Sequence, residues 1–99
     1  MDVIEKIEAL AARLERAKEL VRRGEIRKID DKEWLVGSGE HCHLVQGVSC
    51  DCTDFRIHEK DLHGLCKHRL AVMLVVTGRM VPGEKKKTSV DYIQLPLSV

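Results

Sequence analysis

The stretch "SCDCTDFRIHEKDLHGLCKHRLAV", residues 49–72, contains three of the four cysteines and three of the five histidines in the chain. Thiolate sulfur and imidazole nitrogen are the ligands that structural zinc sites use, about four of them in a tetrahedral arrangement. In a reducing compartment, clustered cysteines are metal ligands more often than disulfide partners. The concentration of these side chains in one short segment therefore predicts a zinc site.

The spacing of the thiol and imidazole groups indicates which four residues bind the metal. Cys50 and Cys52 are two residues apart, so on an extended chain both side chains point to the same face. Cys66 and His68 have the same spacing, but residues two apart inside a regular helix point roughly 200° apart. We therefore expect Cys66 at or just before a helix start, after a break at Gly64, and His68 in the first helical turn.

Other interpretations of these residues are weaker. If these residues were only buried thiols and a histidine at a helix end, the paired C-x-C and C-x-H spacing would have no reason to occur. A redox dithiol usually has the spacing C-x-x-C. His58 and His63 lie in the gap between the pairs and could replace His68 as the fourth ligand, His63 more plausibly than His58. We favour His68 because Cys66 fixes its neighbourhood, whereas the intervening polar segment is expected to be an exposed loop.

A second cluster comprises His41, Cys42 and His43. On a strand, His41 and His43 would share one face and Cys42 would lie on the other, so the three could not easily bind one metal ion. Cys42 is then most simply a small core residue beside Leu44.

The segment before the cysteines predicts a long helix followed by strands. Apolar residues alternate in steps of four and three along one helical stripe: Val3, Ile7, Leu10, Leu14, Ala17 and Val21. We expect this helix to end near Gly24 and to lie on the core of its own domain, with a coiled-coil seam as the alternative.

Two apolar stretches flank the turn residues 37–39 and predict strands at about 33–36 and 41–46. A weak alternation at 25–31 indicates a short strand or an extended link, and a third extended piece is expected from about Val48. The apolar run "HRLAVMLVVTG" predicts a buried helix that ends at Gly78.

These elements predict an α+β fold, a small zinc-stabilised ββα module with a long N-terminal helix. We divide the chain into an amphipathic helix at 1–24, the zinc module at 25–78, and a loop with an edge strand at 79–99, all in one compact domain.

The composition limits the function. Seventeen basic and sixteen acidic residues give a net charge of +1, whereas a duplex-DNA binder normally has a basic surplus. Only three aromatic residues are available for stacking on bases. No apolar run approaches the roughly 20 residues of a membrane span, and acidic residues follow the first methionine where a signal peptide has basic ones. An intracellular protein, cytoplasmic or nuclear, is expected.

The pattern Cys50-x-Cys52, a gap of 13 residues and Cys66-x-His68 closely resembles the SWIM zinc finger, whose signature is CxC followed by CxH. "CDCTDF" is similar to the CxCxxF segment of that family, "CKHRLAVML" to its CKH segment and aliphatic helix, and "WLVGSGEHCHLV" to its strand-turn-strand lead-in. The resemblance covers about residues 33–76. It implies a compact ββα module with one structural zinc ion that binds DNA or other proteins.

Two functions follow as hypotheses. The first is a nucleic-acid-associated adaptor or regulator whose partner is DNA or a DNA-associated protein. Its candidate contact residues are the cations around the metal site: Arg56, Lys60, Lys67 and Arg69. The second is a protein-interaction module that recruits a partner or forms a homodimer through the apolar stripe from Ile7 to Val21, without touching nucleic acid.

We do not expect an enzyme. A shell of three cysteines and one histidine leaves no position on zinc for a reacting water. No nucleophile–base pair or glycine-rich phosphate loop stands out in the sequence. A small-molecule substrate and a membrane partner are therefore not expected either.

Overall fold

Residues 1–83 are described by a computed structural model of the chain. In this part, the helices and strands follow one another as α1 (Val3–Arg22), β1 (Ile26–Lys28), β2 (Glu33–Val36), β3 (His43–Gln46), β4 (Ser49–Cys50), α2 (Thr53–Ile57) and α3 (Lys67–Val76). The predicted α+β class, with a long N-terminal helix and a small zinc-site module, is confirmed. The edge strand that we predict within 79–99 falls on residues after 83, outside the described part.

Helix α1 begins with a capping box. The Asp2 carboxylate accepts a hydrogen bond from the Glu5 backbone N–H at 2.8 Å, and the Glu5 carboxylate accepts one from the Asp2 N–H at 2.9 Å. These bonds satisfy backbone donors that the first turn of a helix would otherwise leave unpaired. The helix ends at Arg22, and Gly24 adopts a φ of 72° that permits the chain to turn toward the sheet.

The four strands form one antiparallel sheet in the order β1-β2-β3-β4. The predicted hairpin is present, with Glu33 opposite Gln46 and Val36 opposite His43. Of the two conformations that we allowed for residues 25–31, the structure has a short strand, β1, which pairs with β2. The sheet is therefore larger than a hairpin, and it carries Cys50 on the edge strand β4.

The expectation that Cys42 is a core residue is wrong. The turn after β2 includes a short 3-10 helix at Gly39–His41, so β3 begins at His43 rather than at residue 41. Gly37 has a φ of 114°, and a side chain there would collide with the His41 carbonyl. Cys42 therefore lies in the turn, exposed to solvent, with its Sγ 4.0 Å from the Gly37 carbonyl oxygen.

The expectation of an exposed loop between the two ligand pairs is only partly correct, because Arg56, Lys60 and His63 are exposed but other parts of the gap are not. The gap contains the short helix α2, and the Leu62 side chain that follows it is only 1% exposed. Gly64 then reverses the chain with a φ of 65° and packs closely against the Phe55 ring. One buried leucine in a polar segment gives no periodic signal, because periodicity needs several apolar residues on one face.

The core lies where α1 packs on α3 and α3 packs on the sheet, and the cysteines belong to it. Its fully enclosed side chains include Ala17 and Val21 of α1, Ala71 of α3, and Val36 of β2. The three predicted cysteine ligands belong to the same buried cluster: Cys50, Cys52 and Cys66. The metal site and the hydrophobic core are thus one continuous region.

The apolar stripe of α1 divides into two parts. Leu14 packs against the core, and Ala17 and Val21 lie within it, as expected for a helix that covers its own domain. Toward the N-terminus, Val3 and Ile7 are 69% and 56% exposed. Within residues 1–83, no helix combines the length and the apolar character needed to cross a bilayer.

Candidate metal centre

The structure brings the four predicted ligands together in one buried group: Cys50, Cys52, Cys66 and His68. Their ligand atoms all lie within 4.8 Å of one another. Tetrahedral zinc with bonds of about 2.3 Å to sulfur and about 2.0 Å to nitrogen holds neighbouring ligand atoms roughly 3.6 Å apart. Cys50 Sγ and His68 Nδ1 are separated by 3.7 Å. The group therefore has the dimensions of a zinc site, and Nδ1 is the imidazole atom of His68 that approaches Cys50 Sγ.

The first pair of ligands comes from the end of the sheet. Cys50 is the last residue of β4, paired with Val45, and Cys52 is the residue that caps α2. Cys52 has extended backbone angles, and its Sγ accepts a hydrogen bond from the Phe55 backbone N–H at 3.3 Å. Both thiols consequently point to one place, as the two-residue periodicity of an extended chain requires.

The second pair comes from the start of α3, as the sequence predicts. Cys66 is the residue that caps this helix, with φ of −79° and ψ of 168°, and its carbonyl accepts the Leu70 N–H at 3.0 Å. His68 follows in the first helical turn and is 5% exposed. The change from extended to helical backbone between these residues lets two side chains two positions apart reach the same point.

The thiols do not have equal proton affinity. Hydrogen bonding from the Cys50 thiol, with a further contribution from His68, lowers the pKa of Cys66 to about 4 despite its burial. The pKa of Cys50 is raised by its hydrogen bond to Cys66 and by burial, and that of Cys52 is raised chiefly by burial. The protein alone thus stabilises one thiolate in this group. A divalent cation would stabilise all three, because a coordinating thiol loses its proton.

The other histidines lie outside the four-residue group. His58 Nδ1 is 3.0 Å from the Asp61 carboxylate, and His63 is exposed in the loop before α3. His41 is exposed in the 3-10 turn. His43 has a different environment, because its ring lies 4.5 Å from the His68 ring and its Nδ1 is 2.9 Å from Asp51 Oδ1.

An ion pair between α1 and α2 lies beside the metal group. Arg13 Nη2 and Nε are 2.7 and 2.8 Å from the two carboxylate oxygens of Asp54, two residues after Cys52. The Arg13 hydrogen bonds hold the pKa of Asp54 below its ordinary value. Sequence reasoning missed this pair because its members are 41 positions apart and no local pattern connects them.

The four predicted nucleic-acid contacts have different surroundings. Arg69 Nη1 donates to the carbonyls of His63 and Gly64 at 3.0 and 3.1 Å, so it holds the loop before α3. Arg56 and Lys60 are exposed in and after α2. Lys67, the first residue of α3, lines a groove of about 390 Å³ at the metal group. Side chains of α1 line the same groove.

Comparison with known families identifies the segment that contains this site. Residues 40–76 match the family model of the SWIM zinc finger. No curated protein and no solved structure matches the chain. The matched segment includes the last two strands, α2, α3 and all four residues of the metal group, and this group fits one structural zinc ion. Residues 40–76 of this chain are therefore a SWIM zinc finger.

Proposed function

We propose that this chain is a zinc-binding adaptor or regulator that associates with nucleic acid, through binding to DNA, to a DNA-associated protein, or to both. The observation that carries the proposal is the buried group of three cysteines and one histidine within a SWIM zinc finger. The resemblance of the sequence to this family implies a binding role for the module. The cations around the finger supply groups that can contact phosphate.

The metal in this proposal has a structural role. All four candidate ligands are buried, and four ligands complete the tetrahedral shell of zinc without a position for a reacting water. A structural zinc site can contribute on the order of 10 kcal/mol, which is as large as the net stability of a small domain. The ion would join β4, α2 and α3, and we propose no catalytic reaction for the chain.

The test is a titration of labelled duplex and single-stranded DNA with the 99-residue chain at low and physiological salt. We expect affinity that persists at physiological salt and decreases as salt rises. A variant with Cys52→Ser and Cys66→Ser should lose that affinity together with its zinc. If the zinc-loaded chain binds neither form of DNA at either salt concentration, direct nucleic-acid binding is excluded.

Protein interaction or dimerisation through α1 is a second candidate function. Its support is the exposed apolar side chains at the start of the helix, where Val3, Ile4 and Ile7 are between 56% and 69% exposed. The stripe available for such contact is shorter than the one predicted from Ile7 to Val21, because Ala17 and Val21 lie in the core of their own domain.

Light scattering on the purified chain distinguishes this candidate from a monomeric protein. If α1 mediates dimerisation, a variant with Ile4→Glu and Ile7→Glu should be monomeric. Ala12→Glu, on the exposed surface of the same helix, is the matched control and should leave the dimer intact. A wild-type chain that is monomeric at all accessible concentrations would exclude self-association.

A further inference from the structure

The groove at the metal group is lined by three of the candidate ligands, Cys52, Cys66 and His68, and also by side chains of α1, outside the matched finger segment. Its lining includes the cationic side chains Arg13 and Arg16 from α1 and Lys67 from the start of α3. Asp54 is the one carboxylate among the described residues that line it. Cations from two separate helices therefore face one concave surface, and such a surface attracts anions because its walls limit screening by water.

The three cations are not equivalent. Arg13 is compensated by its two hydrogen bonds to Asp54. In the described part of the chain, the ion pairs include neither Arg16 nor Lys67. Arg16 is exposed and Lys67 is half-buried. The Arg16 guanidinium and the Lys67 ammonium group are therefore both accessible to a ligand in the groove.

The charge of the metal group has to be included. Three thiolates around Zn²⁺ carry one net negative charge, which neighbouring cations partly neutralise. The cations Arg13, Arg16 and Lys67 supply three positive charges to the lining, and the Asp54 carboxylate and the zinc-loaded group supply two negative ones. The groove therefore retains a positive potential when the metal is bound.

The lining also restricts the kind of anion. Among its described residues there is no phenylalanine, tryptophan or tyrosine, so the groove lacks the large aromatic rings on which single-stranded bases commonly stack. The groove has a volume of about 390 Å³, which includes the space at the metal ligands and exceeds that of a phosphate group. Arginine and lysine at such a place bind phosphate without reading the base sequence.

We propose that Arg16 and Lys67 bind the phosphodiester backbone of a nucleic acid in this groove, and that α1 is thereby part of the nucleic-acid interface. The inference rests on the proposed function and assigns it to a surface that the zinc finger does not form alone. The Arg13–Asp54 pair fixes α1 against α2 and so sets the position of Arg16 relative to Lys67.

The experiment compares the zinc-loaded wild-type chain with a variant carrying Arg16→Gln and Lys67→Gln. The probe is a fluorescent mixed-sequence DNA duplex of roughly two helical turns, titrated over a fourfold range of salt concentration. The matched control carries Arg27→Gln and Lys28→Gln. It removes the same charge from β1, the strand at the opposite edge of the sheet from Cys50. Zinc content and the circular dichroism spectrum are measured for all three proteins.

Each phosphate contact on duplex DNA contributes about 0.9 to the slope of log affinity against log salt. We expect the groove variant to lose about two units of slope, so that raising salt fourfold weakens its binding about tenfold less than that of the wild type. The control should keep the wild-type slope, and all three proteins should keep one zinc ion per chain.

Two different failures can be distinguished. If the wild type binds and the groove variant has the slope and affinity of the control, the groove is not the contact site, although the proposed function stands. If the groove variant instead loses zinc, its slope is measured again with enough zinc added to fill the site. If the refilled variant has the same slope as the wild type, the cations serve the metal group and the inference is wrong. If the wild type does not bind any DNA, the direct nucleic-acid binding in the proposed function is excluded and this inference fails with it.

Discussion

At the scale of single residues, His43 contacts the metal group without supplying one of its four candidate ligands. Its ring lies 4.5 Å from the ring of His68, tilted by 40°, and its Nδ1 is 2.9 Å from the carboxylate of Asp51. Asp51 lies between the first two cysteine ligands. His43 thus restrains both halves of the site, one by ring contact and the other through a hydrogen bond.

Replacing His43 with alanine should weaken zinc binding by about tenfold, because residues that orient metal ligands typically influence affinity to this extent. Competition with a chromogenic zinc chelator measures the change. His41→Ala, in the exposed turn two residues earlier, is the control and should keep the wild-type affinity. Equal affinities for the two variants would show that His43 has no role in positioning His68.

The four cysteines differ in environment, and this difference leads to a second prediction. Cys66→Ser should reduce bound zinc to well below one ion per chain and lower the midpoint of thermal unfolding, since a serine hydroxyl is a poor ligand for zinc. Cys42→Ser should alter neither quantity, because Cys42 is an exposed thiol outside the metal group. Metal analysis and circular dichroism make the comparison. Full zinc content in the Cys66 variant would contradict the proposed ligand set.

At the scale of secondary-structure elements, α1 is attached to the finger by packing and by one ion pair. It packs on α3, and Arg13 binds Asp54 of α2 through two hydrogen bonds. The Arg13 and Asp54 side chains are 15% and 37% exposed. Partial shielding from water makes this pair stronger than the other ion pairs of α1, which lie at the surface.

Arg13→Ala should destabilise the zinc-loaded chain by about 1 kcal/mol, a value that allows for the solvent exposure of Asp54. Lys18→Ala removes an exposed pair with Glu15 on the same helix, and it should change stability by less than about 0.5 kcal/mol. Urea unfolding followed by circular dichroism measures both. A Lys18 variant that loses as much stability as the Arg13 variant would contradict the assigned role of the pair.

At the scale of the whole molecule, the metal group and the hydrophobic core share the same buried cluster. Cys50, Cys52 and Cys66 pack with side chains of α1, α3 and the sheet. Because these contacts connect the finger to α1, we expect the zinc-loaded protein to unfold in one cooperative transition. This expectation also tests the prediction that the helix and the finger form one compact domain.

Removal of zinc with a strong chelator should lower the unfolding midpoint substantially and reduce helical circular dichroism, since metal binding and folding of such a site are coupled. Addition of one equivalent of zinc should restore both. Magnesium, which prefers oxygen ligands, is the control and should restore neither. An unchanged melting curve after chelation would show that the fold does not depend on metal, and two separate transitions would show that α1 folds independently.

Spacing in the sequence was sufficient to predict the four side chains that converge, the start of α3 just after Cys66, and the length of α1. The spacing within each ligand pair and the stripe of α1 are local patterns, in which backbone periodicity directly relates position to direction. In addition, a C-x-C pair followed by a C-x-H pair is rarely explained by anything other than metal binding. The metal group was therefore accessible without tertiary information.

Tertiary structure alone decided the features that depend on distant residues or on the length of a turn. The Arg13–Asp54 pair, the contact of His43 with His68 and the groove between α1 and α3 join parts of the chain that no periodic pattern relates. The exposure of Cys42 followed from the 3-10 turn before β3, because a shift in where a strand begins changes the side chains that face the core.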